Sequence, residues 1–104
     1  MSKFVFFYSG GLAFESREAG AAHQKKWMDW MSRIGAAMVE PGVPVGKAKV
    51  VTAQGITDDT SAMRISGFSV IEAKDLDAAL EIARSCPHVD IGAIQVAPAM
   101  SMEM

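Results

Sequence analysis

Phe4-Val5-Phe6-Phe7-Tyr8 is aromatic and β-branched and ends at Ser9-Gly10-Gly11, which predicts a first strand. Its two faces, Phe4/Phe6/Tyr8 and Val5/Phe7, are both apolar, so neither suits bulk water. The period then changes to that of a helix from Ser16 to Ile34, with Ser16 as N-cap, Glu18 in the first turn and Gly35 just past the end. With His23 set at zero, Trp27, Trp30 and Ile34 fall at about 40°, −20° and 20°, while the charged residues fill roughly the opposite half. His23 thus stands in the middle of an apolar stripe. Gly20 weakens the first turns of this helix by about 1 kcal/mol relative to Ala.

Beyond a turn-rich connection, Pro41 to Gly46, the pattern predicts a second strand over Ala48–Gln54 and a polar loop over Gly55–Ser66. Gly67–Ala73 reads as the third strand. A second helix spans Leu76–Ser85 with Asp75 as N-cap, and Cys86-Pro87 stops it. Ile91–Ala97 is the last strand, and Ala99–Met104 is expected to fray. One domain over residues 1–98 with a tail over 99–104 is therefore expected. Strand, helix, strand, strand, helix, strand is the ferredoxin-like α+β plan, a four-stranded antiparallel sheet with two helices on one face.

That plan leaves the other sheet face bare. Phe68/Val70 and Ser69/Ile71/Ala73 make the third strand apolar on both sides, as in the first. An open face of this kind is larger than monomers usually tolerate, and a second copy covers it most simply. The expectation is a homodimer joined sheet to sheet as a dimeric α/β barrel. Small polar strand residues, Thr52, Ser69 and Gln95, leave room for a pocket.

Composition narrows the partners. Half of the 104 residues are apolar and 21% are charged, the mix of a folded globular chain. Ten basic against 12 acidic side chains give a net charge of −2, which disfavours a nucleic-acid partner. The longest apolar run, Phe4–Tyr8, is too short to span a bilayer and no signal-peptide core precedes it. With one cysteine, Cys86, no internal disulfide is possible, which fits a reducing, cytoplasmic setting.

The order and spacing of several short motifs resemble the YCII-related (YciI-like) family over nearly the whole chain. They are Tyr8-Ser9-Gly10-Gly11; His23-x3-Trp27-x2-Trp30 with Ile34-Gly35-Ala36; Gly42-x-Pro44-x-Gly46; Gly67 to Ala73; and Leu76-Asp77-Ala78-Ala79 continuing to Cys86-Pro87-His88. The resemblance implies a dimeric α/β barrel related in fold to ring-cleavage isomerases and cofactor-free monooxygenases. An Asp-Gly-Pro-Phe segment common among relatives is absent ahead of the third strand. Other relatives have been proposed to use a His–Asp pair; His23 matches the histidine, and no residue here matches the aspartate.

His23 is the candidate catalytic residue, because an imidazole titrates near neutrality and can carry a proton either way. The alternative is a histidine at the core rim bonded to backbone or water. Tyr8, Ser9, Trp27, Trp30 and Ser69 are the candidate pocket residues; the tryptophans could stack a planar ligand or simply fill core. His88 and Asp90 read as a surface loop pair, Cys86 as structural, and the eight methionines as adaptable packing. No metal-ligand or cofactor motif is present. Function is expected to be small-molecule binding, as a cofactor-free isomerase or lyase with His23 as proton shuttle. The alternative is a non-catalytic ligand-sensing or homodimeric interaction module.

Overall fold

The computed structural model describes residues 1–11, 14–61 and 63–100. The elements are β1 (Ser2–Gly10), α1 (Arg17–Ile34), β2 (Met38–Glu40), β3 (Lys49–Thr52), β4 (Gly55–Asp58), β5 (Ile65–Ala73), α2 (Leu76–Arg84) and β6 (Gly92–Pro98). Short 3₁₀ turns at Gly35–Ala37 and Pro87–Asp90 follow the two helices. The main sheet runs β2-β5-β1-β6, antiparallel throughout, which is the ferredoxin-like order.

Both helix starts are capped as their sequences require. Ser16 Oγ accepts from the Ala19 amide at 3.1 Å, and Asp75 Oδ1 accepts from the Ala78 amide at 2.8 Å. Gly35 ends α1 with φ +53°, a conformation that side chains other than glycine resist.

Alternation along β1 sorts its residues between the faces. Phe4, Phe6 and Tyr8 are buried under the helices with Trp30, Ala79 and Ala83, while Val5 and Phe7 stay half-buried on the opposite face. In β5 the helix face carries Ser69, Ile71 and Ala73, and the open face carries Phe68 and Val70 directly across from Phe7 and Val5. The open face is therefore apolar at its centre, as the sequence pattern predicts.

The second strand lies elsewhere than predicted. The main sheet takes Met38–Glu40 as its edge, extended by an isolated bridge between Pro44 and Gly67. Pro41 lacks an amide donor and Gly42 turns the chain at φ +72°, so the edge strand stops after three residues. A Cβ at Gly42 would fall 2.0 Å from the Phe68 carbonyl oxygen, so only glycine permits this approach. Lys49–Thr52, inside the predicted second strand, instead pairs with Gly55–Asp58 in a separate two-stranded hairpin. The stretch read as a polar loop thus opens with a strand. Every residue of β3 and β4 is exposed.

At the other end, the Ala99 amide donates to the Lys3 carbonyl at 3.0 Å, so the chain stays tied to β1 one residue past β6. Residues 101–104 of the predicted tail lie outside the described residues. None of the described helices is long and apolar enough to cross a membrane.

Candidate functional site

Where β1 ends, α1 begins and the Pro41–Pro44 connection passes the sheet edge, the walls line a cavity of about 510 Å³ that opens to solvent. That volume is of the size that holds small ligands. Three of the six sequence-predicted site residues, Tyr8, His23 and Trp27, line it. His23 and Trp27 come from one face of α1 four residues apart, one turn of helix. Tyr8 projects from β1 and meets Trp27 edge to face, with ring centroids 5.2 Å apart and planes at 71°.

The other three stand outside the lining. Trp30 is fully buried, and its indole Nε1–H donates to Ser85 Oγ at 2.9 Å, which ties α1 to the end of α2. Ser69 accepts from the Tyr8 hydroxyl at 2.9 Å and donates onward to the Pro41 carbonyl at 2.9 Å. Ser9 is buried and offers its backbone oxygen to His88. Ser69 and Ser9 therefore hold cavity residues in place from behind, while Trp30 belongs to the core.

His88 is the residue that sequence reasoning misplaced. Read as a surface loop residue, it is buried and lines the cavity, whereas Asp90 is exposed. Its Nε2 lies 2.8 Å from the Ser9 carbonyl oxygen. A carbonyl only accepts, so Nε2 must carry the hydrogen. The 3₁₀ turn that Pro87 starts swings the ring inward, 5.2 Å from that of Tyr8. A Cβ at Gly92 would fall 2.1 Å from that same Ser9 oxygen and 2.7 Å from His88 Nε2, and Ser9 lies 79 residues from His88 in the chain, too far for spacing to reveal.

Phe14 and Gly20 are also missing from the sequence prediction. Phe14 lies over Gly20, where an added Cβ would meet its ring at 3.5 Å, and its ring centroid is 5.2 Å from that of His23. The glycine that weakens α1 lies on the cavity wall.

The electrostatics favour the neutral forms of His23, Tyr8 and Cys86. His23 is held below its ordinary value, first by desolvation and then by the nearby His88 and Lys26, with Asp90 acting weakly the other way. Burial pushes the Tyr8 phenol up, so it keeps its proton. Cys86, buried behind the site, is pushed up to about 12 by the same cause, which suits a structural thiol and not a nucleophile. Among the described residues, no three His, Cys, Asp or Glu side chains gather where they could hold a metal ion.

None of the curated proteins matches the chain. Among solved structures, the chain is similar in fold to 5-chloro-2-hydroxyhydroquinone dehydrochlorinase from Burkholderia phenoliruptrix AC1100, in complex with 2,5-dihydroxybenzoquinone. The TM-score is 0.57 at 14% identity, over 90% of this chain and 89% of that one. The sequence pattern of the YCII-related domain matches residues 13–103, and the chain belongs to the YCII-related family.

Proposed function

We propose that the chain binds a small ring-bearing molecule in the cavity beside α1, and that His23 moves a proton there without a cofactor. The observation that carries this reading is an imidazole kept neutral on the wall of an aromatic cavity of about 510 Å³. A neutral imidazole near pH 7 has a free lone pair for a proton. It would take a proton from a ligand carbon as the electron pair moves into the conjugated system. Returning the proton at a different atom is an isomerisation; if the released pair instead forms a new double bond while a leaving group departs with its own bonding pair, the step is an elimination. The planar quinone carried by the dehydrochlorinase supports a ring of that size.

The same cavity without turnover would serve as a sensing module. His23→Ala separates the two: retained ligand affinity with lost turnover supports the enzyme. The half-buried apolar centre of the open sheet face, Val5, Phe7, Phe68 and Val70, supports a homodimer through that face. Phe7→Asp should then shift sedimentation toward the monomer.

The experiment that tests the binding reading is native mass spectrometry of ligands carried through purification. It is paired with Gly20→Leu, which fills the cavity from a helix position where leucine is the better helix former. A small-molecule adduct on the wild type that is lost in Gly20→Leu is expected. An adduct equally abundant on both proteins contradicts the assignment to this cavity.

A further inference from the structure

Hydrogen-bond accounting around the cavity says which ligand charge it accepts. None of the described lining residues is Lys, Arg, Asp or Glu. Two side-chain donors in its walls are already engaged with the protein. The Tyr8 hydroxyl donates to Ser69 Oγ, and His88 Nε2–H donates to the Ser9 carbonyl. The Gly42 amide donates to Glu40 Oε1 at 2.9 Å, which also sets a carboxylate beside the rim. Gln24 and Trp27 contribute neutral N–H groups, which suit a carbonyl or hydroxyl but neutralise no charge. Lys26 and Asp90, which both act on His23, oppose each other in sign.

An anion entering this space gives up part of its hydration and finds no Lys or Arg among the described lining residues. A flat uncharged ring avoids that penalty and packs against Tyr8, Phe14 and Trp27.

We infer that the cavity takes an uncharged ring compound and excludes carboxylates and phosphates. This rests on the cavity being the binding site, and the test separates the two claims. Benzamide and benzoate have nearly the same shape and differ in charge. Each is titrated into the full chain near pH 7 by calorimetry, with Gln24→Arg alongside, since position 24 lies in the lining on the solvent-facing side of α1.

Benzamide is expected to bind the wild type at least roughly tenfold more tightly than benzoate, and Gln24→Arg to strengthen benzoate binding. If neither probe binds, the cavity reading falls and this inference with it. If benzoate binds the wild type as tightly as benzamide, or gains nothing from Gln24→Arg, the binding site stands and the charge selection is overturned.

Discussion

The main sheet and the β3–β4 hairpin use similar residues to opposite ends. In β1 and β5 every second side chain is buried, and both strands share pairing partners on each side. In the hairpin, Val51 and Ile56 pair across the two strands and are each about 70% exposed. Lys49 and Asp58 close its base with an exposed ion pair, a contact worth little in water. The radius of gyration, 15.1 Å against about 13 Å for a compact domain of this length, fits an arm held away from the body. β-propensity alone thus made both regions strands. Burial against the helices, which propensity does not encode, made only one of them core.

Three tests sharpen that contrast, in falling order of effect. Phe6 is fully buried between the sheet and the helices. Phe6→Ala should cost about 3–5 kcal/mol in urea unfolding, whereas Val51→Ala on the arm should stay within about 0.5 kcal/mol. Similar losses at both positions would mean that the arm packs like the core. Ser69→Ala comes next. It leaves the buried Tyr8 hydroxyl without its acceptor and should cost about 1–3 kcal/mol, and Tyr8→Phe in that background should restore part of the loss. No recovery in the double variant would show that the bond is not what Ser69 contributes.

The smallest effect is the pH dependence of His23. Its folded-state pKa lies below the ordinary value of 6.5, so as pH falls the unfolded chain binds the proton first. The full contribution is present above about pH 6.5 and is lost progressively as pH drops toward the folded pKa. His23→Gln should flatten this part of the stability profile. A wild-type profile that gains stability through this group below pH 6.5 would reverse the sign and indicate an ion pair.

Most of the fold was legible because its signals are local. Aromatic and β-branched runs marked β1 and β5, the cap residues Ser16 and Asp75 marked both helix starts, and Gly35 marked the end of α1. The edge strand was not legible: Met38–Glu40 is three residues long, too short for alternation to register. The longer β-rich run at Lys49–Thr52 outcompeted it in any reading by propensity. At the site, helical spacing brought His23 and Trp27 to one face. His88 escaped because its inward turn depends on the Ser9 carbonyl of β1, 79 residues away in the chain. Trp30 looked equivalent to Trp27 on the stripe, and only the Ser85 contact from α2 separates core from cavity.

That difference between the tryptophans gives the most direct test of the binding site. Indole N–H resonances of both residues are followed by NMR while benzamide is added to the full chain, with Trp27→Phe used for assignment. Ligand in the cavity should move the Trp27 signal several times further than that of Trp30, whose N–H stays bonded to Ser85. An unmoved Trp27 signal, or a larger shift at Trp30, would contradict the account.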